Sequence, residues 1–287
     1  MLNTGVTKPY KTVKEQIEIL RNRGLKIDNR ATAEEVLKQI NYYRLSAYSL
    51  TLRKNDVFYN GVAFEDVCEL YYFDYDFRKI VYAYTAPIEI ALRCYIAYHH
   101  VGKYGPLGYL DALNFEDAVR HEDFLERLDE EIDRSDDAFV RHHVRDLNSV
   151  FPFWVAIEVA SFGALSMLFK NLIRQDRIDI SKTCYRYGRE YIENWLQSCV
   201  YARNIAAHGG RFYNRDLRSC PVRLPKKYKR SISPTRAFAF VFAIYQLLPT
   251  KEQQKALIKD LDSLYKMHPF ALKKHMGFPD DWVDYFK

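Results

Sequence analysis

The chain has 287 residues, of which 48% are hydrophobic and 28% charged, and its formal net charge is +6. This balance excludes a disordered chain, and the mild positive charge permits an anionic partner without requiring one. Five scattered cysteines without a C-x-x-C pair argue against a disulfide framework or a zinc cluster, and the polar residues 1–14 argue against a signal peptide. We therefore expect a cytoplasmic protein with reduced thiols.

Helical patterns dominate the first half of the chain, and strand patterns are few. Gly24 is typical of a helix stop, and Thr32 with Glu35 forms the capping-box pattern that begins a second helix. Pro87 lies inside a very long helical repeat and predicts a kink or break near Ala86. The predicted segments are helices over 12–23, 32–49, 64–100 and 115–134, with a loop over 102–108.

The longest apolar run covers residues 151–169. Glu158 lies at its centre, so we predict a buried core helix over 153–171 and not a membrane span. Glycine and proline interrupt the helical repeat over 209–232, which predicts a basic loop. Further helices are predicted over 178–187, 190–207, 234–248 and 250–266. The predicted fold class is therefore all-α, a helical bundle.

The segment VYARNIAAHGGRFYNR (200–215) places charged residues at the end of an otherwise apolar helix. Asn204 and His208 are four residues apart and share one helix face, with Arg203 beside them. Gly209 can adopt the left-handed conformation that closes a helix, so His208 should lie in the last turn. A proton-exchanging histidine beside a phosphate-holding arginine suits cleavage of RNA by its own 2′-hydroxyl. From its spacing alone, the short pattern is more often ordinary helix capping or a chance occurrence than a catalytic site.

Five stretches of the chain carry a resemblance to a known family: INYYRLSAY (40–48), FDYDFRKIV (73–81), IEIALR (88–93), FPFWVAIEVASFGALS (151–166) and ARNIAAHGGRFYNR (202–215). Together they resemble the abortive-infection AbiD/AbiF family of bacterial phage-defence proteins, and Arg203 to His208 resembles the R-N-x-x-A-H form of the HEPN ribonuclease motif. The resemblance implies an all-helical fold, a HEPN domain that acts on RNA through Arg203, Asn204 and His208, and growth arrest during phage infection.

The resemblance also implies an organisation and partners. We divide the chain into an N-terminal helical region (1–60), a HEPN-like helical domain (61–225) and C-terminal helices that pack on the same core (226–287). HEPN ribonucleases commonly pair two motifs across a two-fold axis, so a homodimer is implied. RNA is the expected partner, as substrate and also as a small regulatory RNA, and no membrane partner is expected.

Charged residues outside the motif are candidates for a supporting role. Glu158 should need a cationic partner, because burying a lone carboxylate is costly; Arg93, Arg78 and Arg44 are the candidates. The resemblance implies that Glu89 and Arg93 orient the motif, with Glu158 as a further supporting residue. Arg93 followed by His99 has the spacing of a second motif, but we interpret that spacing as a coincidence.

Cations near the motif in sequence are candidates for RNA contact. Tyr228 is interleaved with the basic run, and cations alternating with an aromatic ring are typical of phosphate-contacting loops. A solvated basic loop is an equally good interpretation of the run by itself. The predicted RNA-binding residues are Arg211, Arg215, Arg223, Lys226, Lys227, Lys229 and Arg230.

No metal ligand set and no cofactor is predicted. His142, His143 and Asp146 are close in sequence, but neighbouring arginines would repel a cation, so we expect a solvated charged face. The first functional hypothesis is a metal-independent endoribonuclease of the HEPN type. The alternative is a non-catalytic HEPN-fold protein that holds a small structured RNA, and a third hypothesis is a protein-interaction bundle without RNA.

Overall fold

A computed structural model describes residues 9–286 of the chain, and within them helices account for most of the structure. The only strands in this part, β1 (Arg53–Lys54) and β2 (Val57–Phe58), form a short antiparallel hairpin. The prediction of an all-α helical bundle is confirmed. The α-helices of the described part are α1 (Val13–Asn22), α2 (Arg30–Gln39), α3 (Tyr42–Ser46), α4 (Phe64–Tyr104), α5 (Ala118–Arg134), α6 (Ala138–Asp146), α7 (Phe153–Ala156), α8 (Phe162–Asn171), α9 (Arg174–Cys184), α10 (Arg189–Ala207), α11 (Ala237–Leu247) and α12 (Lys251–Met267).

Two long helices, α4 and α10, pack against each other at the centre of the molecule. Helix α10 also packs on α8 and α11, while α12 packs on α4. Helix α11 has the sequence AFAFVFAIYQL, and nine of its residues are buried. Because α11 is apolar on every face, it can be stable in water only when its neighbours surround it. Helix α10, which carries the motif, is therefore packed against α4, α8 and α11.

Helix α4 runs through 41 residues without interruption, so the break predicted near Ala86 is wrong. Pro87 lies inside the helix, where its missing N–H removes one backbone hydrogen bond. The packing of α4 on α10 and α12 compensates for the loss of that hydrogen bond. The helix also extends past the predicted end, to Tyr104, so the predicted loop at 102–108 begins later, at Gly105.

The first helix follows the prediction, and the second does not. Thr12 and Glu15 form a capping box at the start of α1, and Gly24 after it has φ +88°. The N-cap of α2 is Asn29, three residues before the predicted cap, because the Asn29 side chain accepts a hydrogen bond from the Thr32 backbone N–H at 3.1 Å. Asparagine is a strong N-cap residue, and it makes Thr32 part of the first turn. The helix predicted over 32–49 ends at Gln39, and the short helix α3 follows.

The apolar segment predicted as one helix over 153–171 is divided into three parts. Helix α7 is followed by a 3-10 turn at Ile157–Val159 and by extended backbone at Ala160 (ψ 131°). Ser161 then caps α8, since its hydroxyl accepts from the Ala164 N–H at 3.3 Å. Glu158 lies in the turn and its side chain is 53% exposed, so the prediction that it is buried in a core helix is wrong.

Residues 209–232 form the predicted loop, apart from a 3-10 turn at Lys226–Tyr228. The loop is anchored by apolar side chains that are buried in the core, among them Phe212, Tyr213, Leu217, Val222, Leu224 and Ile232. Contacts cross both boundaries of the predicted domains: the Arg44 guanidinium donates to the Gly209 carbonyl, and α11 packs on α10. All five cysteines are free thiols, as expected. Among the described residues no helix has the length and apolar character of a membrane span.

Candidate functional site at the end of helix α10

The motif helix closes where the sequence predicted. Helix α10 ends at Ala207, His208 is its C-cap, and Gly209 has φ +65°. The Gly210 N–H donates to the Ile205 carbonyl at 2.7 Å, which satisfies one of the last free carbonyls of the helix. A Cβ atom on Gly210 would lie 2.9 Å from the Ile205 Cγ2 atom, so the close return of the chain requires glycine. His208 is thus held at an exposed helix end.

Arg203 lies next to the carboxylate of Glu89, on the central helix α4. One Glu89 oxygen accepts from Arg93 Nη2 at 3.3 Å, and the other is 4.0 Å from Arg203 Nη2. Glu89 therefore lies between two arginines, one turn of α4 away from Arg93 and across the helix interface from the motif. A carboxylate so placed favours one orientation of the Arg203 side chain, which agrees with the supporting role expected for Glu89 and Arg93.

Arg93 in turn is anchored to the break between α7 and α8. Its Nε donates to the Ile157 carbonyl at 3.1 Å, and its Nη2 donates to the Ala160 carbonyl at 3.0 Å. Arg93 Nη1 is 3.8 Å from Glu158 Oε2. Of the three arginines considered as partners of Glu158, Arg93 is the one in contact. The break between α7 and α8 thus supplies two carbonyls that hold Arg93. Arg93 in turn contacts Glu89.

The guanidinium of Arg203 keeps hydrogen-bond donors that the protein does not use. Its centre lies 6.0 Å from the Phe162 ring centroid, and its side chain is 27% exposed. Within the described residues its terminal nitrogens have no hydrogen bond, and the contact of Nη2 with Glu89 is long, at 4.0 Å; the Nε is also unpaired, but it is buried and out of reach of a ligand. An arginine that is oriented by a ring and a carboxylate but retains free N–H groups is suited to hold an anion such as a phosphate.

Asn204 and His208 are both exposed. In the part of the chain that the structure describes, neither side chain has a hydrogen-bond partner; the contact between these residues is the backbone bond from the His208 N–H to the Asn204 carbonyl, 3.0 Å long. Arg203, Asn204 and His208 therefore lie within the last turns of one helix, on an open surface. Among residues 9–286 no side chain therefore occupies the imidazole of His208.

A buried carboxylate, Asp74, joins the motif loop to the rest of the bundle. It is fully buried and accepts from the Arg78 guanidinium at 2.6 Å and from the Tyr48 hydroxyl at 2.8 Å. Its other oxygen accepts from the backbone N–H groups of Phe212 (2.9 Å) and Tyr213 (2.7 Å). Burial raises the pKa of Asp74, and these donors oppose the shift by stabilising the carboxylate. The sequence analysis missed this residue, although the i, i+4 pair with Arg78 was visible.

The two arginines after the glycines have structural contacts. Arg211 Nη1 donates to the carbonyls of Ala47 (3.1 Å) and Tyr213 (2.8 Å), and burial lowers the pKa of Arg211. Arg215 Nη1 donates to the Arg211 carbonyl at 3.3 Å. Since Arg211 is occupied with backbone carbonyls, its contribution is to hold the motif loop, and we do not retain it as an RNA contact.

The basic run is close to the motif in sequence but distant from it in space. The loop returns along α10 towards its N-terminal end, where Arg223 lies 5.7 Å from the Tyr191 ring centroid. The segment of α10 between Tyr191 and Ala207 is about 24 Å long at about 1.5 Å per residue. Closeness in sequence therefore does not bring this run beside the motif, and its predicted contact with RNA stays a prediction. Its exposed cations are Arg223, Lys226, Lys227, Lys229 and Arg230.

The fold also assembles a histidine–carboxylate trio that sequence spacing did not reveal: His99, Asp176 and Asp179. One oxygen of the buried Asp176 accepts from Lys103 Nζ at 2.6 Å and lies 3.0 Å from His99 Nε2. Burial opposes ionisation of Asp176, but these hydrogen bonds lower its pKa. An ammonium group at this carboxylate would repel a cation, so the trio fits an ion-pair cluster better than a metal site. His99 is bonded to Asp176 in this cluster. This favours our interpretation of the Arg93–His99 spacing as a coincidence.

The sequence profile of the Abi-like protein family matches residues 35–214, which is well over half of the chain and includes Glu89, Arg93 and the whole motif. The chain belongs to the Abi-like protein family. A search of curated proteins and a search of solved structures gave no significant match. The matched region begins within α2 and ends in the motif loop, just after the two backbone amides that bind Asp74. Family membership supports a role in abortive-infection phage defence.

Proposed function

We propose that this Abi-like protein is a metal-independent endoribonuclease of the HEPN type, and that it acts in abortive infection by cutting RNA. The observation that carries the proposal is the state of Arg203. It is oriented by Glu89 and Phe162, yet the terminal nitrogens of its guanidinium have no hydrogen bond within the described residues, and it lies five positions before His208 at the end of the same helix. A fixed cation near a proton-exchanging group is what cleavage through the 2′-hydroxyl requires.

The chemistry follows from those two side chains. His208 accepts the proton of a ribose 2′-hydroxyl, and the 2′-oxygen attacks the adjacent phosphorus. Arg203 stabilises the negative charge that builds on the phosphate oxygens. The bond to the 5′-oxygen breaks, and that oxygen takes up a proton as it leaves. The products are a 2′,3′-cyclic phosphate and a 5′-hydroxyl, and Asn204 can orient the imidazole or the RNA through its amide.

The decisive experiment compares wild-type protein with Arg203→Ala and His208→Ala on RNA and DNA of the same sequence. We expect wild-type protein to cut RNA alone, in the presence of EDTA, with a 2′,3′-cyclic phosphate at the new end. Each substitution should lower the rate at least about 100-fold, because each removes a group used in the transition state. Circular dichroism should show that the helices remain.

Arg218→Ala is the matched control, because Arg218 is an 83% exposed arginine of the same loop that lies outside the motif. Its cleavage rate should equal that of the wild-type protein. Cleavage that appears only when magnesium is added would contradict the mechanism, as would an active His208→Ala protein.

The alternative function is a non-catalytic RNA-binding protein that holds a small structured RNA. The observation that favours it is the cluster of exposed cations about 24 Å from the motif, which suits an extended nucleic acid better than a single scissile phosphate. Tight RNA binding without cleavage, equal in wild-type and His208→Ala proteins, would support this alternative and exclude the endoribonuclease.

A further inference from the structure

A surface groove of about 530 Å³ borders the end of the motif helix. One wall is the face of α4 that carries Tyr71, Tyr75, Lys79 and Tyr82, and the other contains Arg44 of α3 and the last residues of α10 up to Gly209. The α4 residues are spaced four, four and three positions apart, so they lie along one face of that helix. The groove therefore leads along α4 to the place where α10 ends.

The groove combines exposed aromatic rings with positive charge. The side chains of Tyr75 and Tyr82 are 45% and 53% exposed, a high fraction for large rings. Lys79 Nζ lies 4.2 Å from the Tyr75 ring centroid, so a cation accompanies that ring. The Arg44 guanidinium donates to the Gly209 carbonyl through Nη2, which places a second cation directly beside the motif helix end.

No carboxylate lines the groove among the described residues. The two nearest acidic residues along α4 are already paired: Asp74 with the buried Arg78, and Asp76 with Lys79 at 2.9 Å and with His268 at 3.2 Å. The charged side chains that line the groove are thus all cationic, but Asp76 offsets the charge of Lys79 and Asp74 that of Arg78, so among the described residues Arg44 carries the charge without an acidic partner. A second copy of the chain docked here face to face would oppose like charges, whereas a polyanion would be attracted.

We propose that this groove binds single-stranded RNA and directs it to Arg203 and His208, with bases stacked on Tyr75 and Tyr82 and phosphates held by Arg44. The proposal rests on the endoribonuclease function proposed above and specifies how its substrate is held. Stacking on tyrosine faces accepts any base, so the groove selects unpaired RNA with little sequence preference, and a duplex, whose bases are already stacked on each other, binds weakly.

The test measures RNA affinity in a His208→Ala background, where cleavage does not consume the probe. A single-stranded oligoribonucleotide and its duplex are titrated with the parent protein, Tyr75→Ala and Tyr82→Ala. We expect each substitution to weaken single-strand binding roughly tenfold, Tyr75→Phe to keep full affinity, and Arg44→Gln to reduce the dependence of binding on salt. In the cleaving protein the same tyrosine substitutions should raise KM and leave kcat nearly unchanged.

Tyr98→Ala is the matched control, since Tyr98 is a 75% exposed tyrosine of the same helix outside the groove. Unchanged binding by both groove variants, with RNA still bound by the parent protein, would overturn the groove and leave the endoribonuclease standing. An equal loss of affinity in Tyr98→Ala would also overturn it. Absence of RNA binding by the parent protein would overturn both proposals together.

Discussion

The guanidinium of Arg203 has two contacts, one with an aromatic ring and one with a carboxylate. The Phe162 ring and the Glu89 carboxylate limit where its guanidinium can lie, but neither uses up its donors. The donors of Arg93, by contrast, are used within the protein, because two of its nitrogens donate to backbone carbonyls at 3.1 and 3.0 Å. Both arginines contact the Glu89 carboxylate. Arg93 is fixed by its hydrogen bonds and supports Glu89, whereas Arg203 keeps donors with which it can bind a ligand.

Asp74 connects the motif loop to α4 through buried hydrogen bonds. Asp74→Ala would leave the buried Arg78 without its ion-pair partner and two backbone N–H groups without acceptors. Removing one member of a buried pair costs about 3–5 kcal/mol, so we expect the free energy of unfolding to fall by about that amount. Chemical denaturation of the purified variant would measure it.

The control for this prediction is Asp28→Ala, because Asp28 is exposed and pairs with an exposed lysine, Lys26, at 3.0 Å. Its stability should be close to that of the wild-type protein, since exposed pairs contribute little. If Asp74→Ala unfolds at the same midpoint concentration of denaturant as the wild-type protein, the Asp74 contacts make no net contribution to the free energy of unfolding.

At the scale of elements, the single helix α10 separates two surfaces that are adjacent in sequence. The motif is at its C-terminal end, while the exposed basic run lies near its N-terminal end, where Tyr228 packs against Phe242 and Tyr285 at 5.3 and 5.2 Å. A short RNA can contact one surface, whereas an RNA that contacts both must extend along about 24 Å of helix.

This separation predicts how the basic run contributes to RNA binding. Replacing Lys226, Lys227, Lys229 and Arg230 with alanine should weaken the binding of long RNA, and the slope of log affinity against log salt should become shallower by up to roughly 3. The affinity for a short oligonucleotide should be unchanged, because it does not reach from the groove to this run. Filter binding at several salt concentrations would measure both effects.

Four exposed lysines elsewhere provide a charge-matched control, and their replacement by alanine should alter the salt slope much less: Lys14, Lys38, Lys54 and Lys255. An unchanged slope in the basic-run variant, or equal losses for short and long RNA, would place the RNA path elsewhere on the molecule.

Local sequence patterns predicted most elements but not their interruptions. The ends of α1 and α10 were predicted because glycines and caps act within a few residues. The break between α7 and α8 was not predicted, since the freed carbonyls are satisfied by Arg93, more than 60 residues away in the chain. The pairing of Glu89 with Arg203 was expected only in outline, and the tyrosine groove was missed, because both depend on which face of α4 meets α10.

At the scale of the whole molecule, we predict a two-fold homodimer that brings two motifs together. One copy of His208 could then accept the 2′-hydroxyl proton while the other protonates the leaving 5′-oxygen. Ile90 lies next to Glu89 on α4 and is 64% exposed, so a dimer that joins the two motifs through this face would cover it. Light scattering should show a dimer for the wild-type protein and a shift to monomer for Ile90→Glu.

A mixing experiment tests the same arrangement through activity. Arg203→Ala and His208→Ala proteins, each inactive alone, should regain the part of the cleavage rate that one His208 supports when subunits are exchanged, because a mixed dimer holds one Arg203 and one His208 and water must replace the second histidine as the acid. A wild-type protein that is a monomer and cuts RNA at full rate would contradict the dimer.

The contacts of Asp74 also bear on the order in which the protein is made. The carboxylate emerges from the ribosome together with Arg78, but its two backbone donors, at Phe212 and Tyr213, are 138 and 139 residues further along the chain. Contacts this far apart cannot form until both segments exist, and they form late because a long loop must close first. A nascent chain therefore has no docked motif loop for most of its synthesis. If the protein arrests growth by cutting RNA, the ribosome that translates it completes nearly three quarters of the chain before the cutting end can assemble.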